Sequence, residues 1–441
     1  MGDTVLRLCL LSALLAGCGN VAGKTVADAG IDADLAGDAT VVTQAALFGT
    51  TGAAGSIDIV SMLPNNTVLA TAKTDATGNA TIRVYPGGTV TAVYKHTINM
   101  GADLITWAGV KPGDKLTFSN RNPVTTGQPS TPLGTQAYLW PSLAAASFYE
   151  VFTSCAPFGG FISAPTLTLS LSETPTCHQD PTMTVIYTAF DASSALINFG
   201  VRSTAFVNAQ TVTLGAWSVP ATGTINITGL PPDISSVNGA FRSVIDPRFD
   251  LASLTSYNGT PTGGAFTTTF KFTQAGPRTV GSLTLSRTGF RPMQILDSFS
   301  TNTTTQTVAA PVFPPWGQTS TIMSTALEMA SWFVVPDASS SSDGQILHLN
   351  WNHVISSVSH PSQWDIILPP GVTSLSFPAL PAPLDALLPA PQDSAGASTR
   401  VFDIPSITSY DMLRAQPSGN IMCLDCSVRG GDFQRVVFTQ L

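Results

Sequence analysis

His348, His353, His360 and Asp365, interleaved with Trp351 and Trp364, are the densest set of side chains in this 441-residue sequence whose types suit chemistry. Imidazoles and a carboxylate are what a zinc site or a general-base pair is built from, and indole faces offer apolar contact to a sugar ring. The spacing argues against both uses. On a strand, 348 and 353 are an odd number of residues apart and point to opposite faces unless a bulge intervenes, so they do not share a metal. Trp351 alternates with Leu347 and Leu349, which marks a core strand rather than a stacking platform. Elsewhere there is no G-x-S-x-G elbow and no H-E-x-x-H. Glutamate occurs at Glu150, Glu173 and Glu328 alone, none in an acid/base motif. Aspartates that converge in space would still allow a hydrolase. The sequence therefore assigns no catalytic residue, no metal ligand and no cofactor, and leaves any ligand surface unknown.

Composition narrows the classes further. Charged residues make up 10% of the chain, against about 25% in ordinary globular domains, so Thr, Ser, Asn and Gln must supply the polar surface. The net charge is −8 and no basic patch occurs, which disfavours nucleic acid as a partner. Mean hydropathy is +0.23, yet past the first residues no apolar run reaches the roughly 18 residues of a spanning helix. The apolar content sits in short alternating stretches instead.

At the amino terminus, Arg7 precedes the apolar run from Leu8 to Leu15, too short for a membrane-crossing helix and characteristic of a targeting segment. Leu15-Ala16-Gly17-Cys18 resembles the lipobox of bacterial lipoproteins. The resemblance implies a signal peptide over 1–17, cleavage before Cys18, and acyl chains on the Cys18 sulfur and the new amino group. Several chains together would hold the protein to a membrane, where one alone anchors only marginally. Gly19 is not the aspartate that retains enteric lipoproteins at the inner membrane, so the resemblance favours the outer membrane. Residues 18–44, with Asp28, Asp32, Asp34 and Asp38, lack the ligand spacing of a calcium loop and read as a self-repelling flexible tether.

If Cys9 leaves with the leader and Cys18 takes lipid, Cys155, Cys177, Cys423 and Cys426 remain. An even number in an oxidising compartment suggests disulfides, with three connectivities possible and nearest-neighbour pairing the simplest. Cys423-x-x-Cys426 is also a redox or half-zinc spacing. The further ligands or the βαβ context that either would need are not visible around it.

The remaining sequence is strand and turn. Ser56–Val60, Thr67–Ala72, Ala80–Tyr85 and Thr89–Tyr94 alternate and are β-branched, and Asp75-Ala76-Thr77-Gly78-Asn79 and Pro86-Gly87-Gly88 supply turn chemistry. Together, Thr74–Ile82 and Pro86–Thr91 resemble the carboxypeptidase regulatory-like, prealbumin-type sandwich, which implies a non-catalytic module over 45–120. Trp140-Pro141 followed by Tyr149-Glu150-Val151 is similar to the strand B to strand C stretch of fibronectin type III domains, placed in a unit over 121–230. A β-rich unit or extension over 231–310 and a C-terminal sandwich over 311–441 follow. There, Trp351 and Trp364 echo the order near Trp140 as a faint repeat, and Gln434–Thr439 reads as a closing strand. Ser324–Phe333 is the one helix candidate, and Pro369–Pro391 a packed loop.

The expected fold class is all-β: tandem Ig-like or fibronectin-like sandwiches behind a flexible tether. The expected role is a lipid-anchored envelope protein that binds a protein or polysaccharide partner or holds structure, with an envelope hydrolase as the alternative. A membrane barrel is disfavoured by the domain-like punctuation.

Overall fold

The computed structural model describes residues 35–47, 50–96, 100–120, 131–153, 162–173, 182–230, 232, 234–246, 251–273, 278–287, 293–300, 305–309, 322–324, 328–332, 342–355, 357–404, 407–422 and 434–439. Among these the fold is all-β, in tandem sandwiches. No helix of the described residues is long and apolar enough to cross a membrane.

Eight strands make the first sandwich: β1 (Gly37–Leu47), β2 (Thr50–Ala53), β3 (Asp58–Met62), β4 (Val68–Lys73), β5 (Asn79–Val84), β6 (Gly88–Lys95), β7 (Ala102–Val110) and β8 (Lys115–Asn120). Strand β1 lies between β5, antiparallel, and β8, parallel, with β2 beside its end. The facing sheet runs β4-β3-β6-β7. Alternation along β5 turns Ile82 and Val84 inward onto Val41, Val90 and Trp107. Between β4 and β5, the Asp75 carboxylate accepts bonds from the Thr77 amide and hydroxyl and from the Asn79 amide at 2.7–3.0 Å. Gly78 completes this turn at φ +79° against the Thr43 carbonyl, where a Cβ would collide.

The second sandwich has β9 (Thr131–Leu139), β10 (Phe148–Thr153), β11 (Thr166–Glu173), β12 (Met183–Phe190), β13 (Leu196–Thr204) and β14 (Thr211–Thr213). Its core packs Trp140 edge-on to Tyr149 at 5.5 Å, with Tyr138, Val185 and Tyr187 around them. The third has β15 (Ala221–Thr228), β16 (Ile234–Asp246), β17 (Leu251–Gly259), β18 (Ala265–Phe272), β19 (Arg278–Arg287), β20 (Met293–Ser300) and β21 (Thr305–Ala309). Stacked Phe241 and Phe270, 3.9 Å apart, centre its core.

One topology recurs in all three. The opening strand pairs antiparallel with a middle strand and parallel with the closing one: β1 with β5 and β8, β9 with β11 and β14, β15 with β18 and β21. The facing sheet is β4-β3-β6-β7 in the first and β17-β16-β19-β20 in the third. In the second it is β10-β12-β13, extended by a bridge from Tyr149 to Ile162. The repeat thus links consecutive units, not the segment near Trp140 with the C-terminal region.

That C-terminal region contributes β22 (Ile322–Ser324), β23 (Met329–Ser331), β24 (Gly344–Ile355), β25 (Val358–Leu368), β26 (Ser374–Ser376), a 3-10 turn at Leu384–Leu387, β27 (Ser394–Asp403), α1 (Tyr410–Arg414), α2 (Ser418–Met422) and β28 (Gln434–Thr439). Instead of closing a separate sandwich, β28-β27-β24-β25 forms a block inside a 12-stranded sheet. One side of the block joins β20 of the third sandwich through β28; the other joins β7 of the first through a parallel pairing with β25. The small sheet β22-β23-β26 flanks this block.

Packing explains the joint. Strands β6 and β7 are buried on both faces: Val90, Ile105 and Trp107 face the first sandwich core, while Val93, Leu104 and Ala108 meet Trp332, Trp364 and Phe377. Across it the Trp364 indole N–H donates to Thr106 Oγ1 at 2.7 Å, and Thr106 Oγ1 lies 2.7 Å from Thr91 Oγ1. Arg414 of α1 makes a two-pronged bond to Asp114 at 2.7 and 3.2 Å.

Three expectations are corrected. Ser324–Phe333 is not a helix: its described residues belong to strands β22 and β23 and the residues beside them, because tertiary pairing with β26 outweighs local propensity. The tether does not extend to residue 44, since β1 begins at Gly37 and places Asp38 opposite Arg83. Residues 311–441 do not repeat a sandwich, because their strands fill edges of the other units. Residues 1–34, and with them Cys18, lie outside the described residues, as do Cys155, Cys177, Cys423 and Cys426.

Replacing Thr106 by Val keeps the volume but strands the buried Trp364 N–H, at a cost of about 2 kcal/mol. A urea-unfolding midpoint unchanged from wild type would contradict this account of the joint.

Candidate functional site

The long hairpin β24–β25 carries the whole histidine and tryptophan group, and its register decides which side chains meet. His348 stands opposite Asp365, and their Nδ1 and Oδ1 atoms are 2.8 Å apart. His353 stands opposite His360 but turns away to Asp393, with Nδ1 2.8 Å from Oδ2. The Trp351 indole N–H donates to His353 Nε2 at 3.3 Å. With Nε2 facing the Trp351 indole and Nδ1 facing Asp393, both ring nitrogens of His353 are engaged. His360 Nδ1 accepts the Met100 amide at 3.2 Å. A further pair joins His96 Nε2 to Asp103 Oδ1 at 3.0 Å, both side chains buried.

The sequence-defined group is therefore split. His348 and His353 lie on opposite faces of β24, and each imidazole is held by a different neighbour. Among the described residues, no three of His, Cys, Asp or Glu converge on a point where a metal could sit. Trp351 and Trp364 are 1% and 0% exposed, so neither presents a ring face to a ligand. Glu150, half-buried on β10, stands opposite Thr188, and burial raises its carboxyl above the usual range.

One acidic pair escaped the sequence analysis. Gly344 of β24 is in register with Phe402 of β27, which brings Asp343 beside Asp403. Burial, opposed by a 2.7 Å bond from the Ile404 amide and reinforced by the Asp403 carboxylate, pushes Asp343 up to about 6. At 7% exposure, Asp343 closes the junction of two strands and has no face for a substrate. Its sole sequence signal was an acid just before one strand and another at the end of a second, meaningless without the register.

A concavity of different character opens between the second and third sandwiches. Its volume is about 460 Å³. One wall is the β12–β13 turn, with Phe190, Ser194 and Leu196; the other is β17 and β18, with Tyr257, Asn258 and Lys271. The turn is locked as in the first sandwich: Asp191 Oδ1 accepts from the Ser193 amide and hydroxyl and the Ala195 amide at 2.6–3.0 Å. These bonds hold the Asp191 carboxyl below its ordinary range. Lys271 Nζ donates to Thr222 Oγ1 at 2.6 Å.

No family model matches the chain, and no curated protein does. Solved structures overlap it loosely. The TIE protein of Bacillus anthracis is 10% identical over 62% of this chain and 50% of its own, with a TM-score of 0.15; this chain thus spans half of that protein's length. A putative adhesin from Bacteroides ovatus is 7% identical over 40% of this chain and 83% of its own, at 0.19. BcpA, the major pilin subunit of Bacillus cereus, is 9% identical over 62% and 98%, at 0.15. Nothing about activity follows from overlaps this loose.

The raised Asp343 carboxyl gives a signed pH dependence. Because the folded state holds this proton more tightly than the unfolded one, its contribution to stability is complete below about pH 4 and falls as pH rises through about 6. Asp343→Asn, which keeps an oxygen for the Ile404 amide and an N–H for Asp403, removes that loss. Its unfolding free energy at pH 7 should exceed wild type by on the order of 2 kcal/mol, with the difference vanishing near pH 4 in paired urea titrations.

Proposed function

We propose that the protein is a lipid-anchored component of the cell envelope, attached through Cys18, whose sandwiches bind a partner or hold structure and carry out no catalysis. Anchoring is supported by the apolar run into Leu15-Ala16-Gly17-Cys18 and by the position of the first sandwich, whose opening strand starts only at Gly37. The intervening residues, if extended, reach about 60 Å from the acyl chains, enough to clear a headgroup layer. The observation that carries the non-catalytic part is the fate of the histidines: His348, His353 and His360 each satisfy an internal partner. Among the described residues none of the three is hydrogen-bonded to a hydroxyl or thiol that it could activate. Low charge suits such a role as well, because a weakly charged polar surface meets neighbours by hydrogen bonding and shape. An outer-membrane location rests on Gly19 in the position after the lipidated cysteine.

Metabolic labelling with a fatty-acid probe, followed by membrane fractionation, tests the anchor. Wild type should incorporate the probe and sediment with membranes, and Cys18→Ala should lose both properties. Equal labelling of the two chains would remove the anchor.

A further inference from the structure

We propose that the cleft between the second and third sandwiches is a binding site for a short oligosaccharide bearing one carboxylate. This rests on the binding role proposed above and adds to it a place and a ligand class.

Charge is the first argument. The chain carries a net −8, yet among the described residues no Asp or Glu lines this cleft, and Lys271 is the one charged residue in that lining. The Lys271 ammonium is steadied by Thr222 Oγ1. An ammonium has three donors, so this bond leaves two for a ligand. Among the described residues Lys271 has no acidic partner within ion-pair distance. A steadied cation with no carboxylate among the described lining residues suits a single anionic oxygen pair.

The rest of the lining decides what kind of molecule brings that anion. Ser194, Ser256, Asn258, Thr268 and Thr269 offer hydroxyls and an amide that donate and accept, matching sugar hydroxyls in either role. Phe190, half-buried and stacked on Phe148 at 4.9 Å, supplies the apolar contact that a pyranose C–H face requires. A wholly apolar ligand would strip water from these polar groups without replacing it, which is costly. A phosphate dianion would call for more than one cation or a helix N-terminus. A metal ion would need carboxylates or imidazoles, and none is among the described lining residues. The cavity's volume falls in the range of small-molecule sites, about 300–1,000 Å³. Its walls are strands β17 and β18 and the Asp191-locked turn, so little conformational freedom is lost on binding.

The test uses the folded full-length chain, with saturation-transfer NMR and calorimetry. The probes are di- to tetrasaccharides of galacturonic and glucuronic acid beside their neutral galactose and glucose counterparts. Wild type should bind an acidic probe saturably, and Lys271→Met and Asn258→Ala should each weaken it at least fivefold while urea midpoints stay at the wild-type value. Raising salt should weaken the acidic probe and leave any neutral binding unaffected. No saturable binding of any probe, or Lys271→Met binding as tightly as wild type, would overturn the site. Neutral probes binding as tightly as acidic ones would overturn the carboxylate requirement. Lipid labelling at Cys18 is read separately, so anchor and glycan site can fail independently.

Discussion

Strand β7 is buried on both faces, so the row of backbone N–H and C=O groups along its outer edge has no water to turn to and must be paired by protein. Strand β25 pairs that edge, in parallel, from residues far along the chain. The side-chain contacts across the joint follow from this pairing: Trp364 reaches Thr106, Tyr410 reaches the carbonyls of Ala108 and Ile367, and Arg414 reaches Asp114. A strand at the equivalent position of the third sandwich, β20, is met by β28 of the same block. Two units of one topology are thereby tied into a single sheet by strands belonging to neither.

The same constraint accounts for the quietness of the hairpin β24–β25 as chemistry. A strand in the middle of a 12-stranded sheet has both edges bonded, and one face of β24, with Leu347, Leu349 and Trp351, is buried while Asn350, Asn352 and Val354 on the other are exposed, so the partly buried polar side chains find partners inside the protein. His348 with Asp365 and His353 with Asp393 are those partnerships. Imidazole next to carboxylate has the makings of a catalytic pair. Here its surroundings make it a device for burying polarity without leaving donors and acceptors unmet.

Much of the fold was legible in local pattern. Val68–Lys73 and Asn79–Val84 alternate because one face of each meets the core, and Asp75 with Gly78 states the turn between them. The burial of Trp351 was legible in its alternation with Leu347 and Leu349, and the separation of His348 from His353 in their odd spacing. The double burial of β7 also left a trace, the mostly apolar stretch Ala102–Val110, interrupted by Asp103 and Thr106, of the kind expected when both faces are covered. What covered the second face left none. The segment from Met329 to Ser331 has residues fit for a helix, and its ladders with β22 and β26 make it a strand.

The sequence by itself determined that the chain is all-β, poor in charge, and built of short alternating strands with turns set by Asp and Gly. These are properties of neighbouring residues, and period-2 alternation or a turn needs nothing distant to be recognised. Tertiary structure alone decided that strands of residues 311–441 pair with two other units, that Asp343 meets Asp403, that His353 meets Asp393, and that Lys271 stands in a cleft whose described lining holds no acid. Each of these depends on which strand edges come together, and backbone hydrogen bonding is the same for every residue. The partner of an edge is therefore set by how whole faces pack.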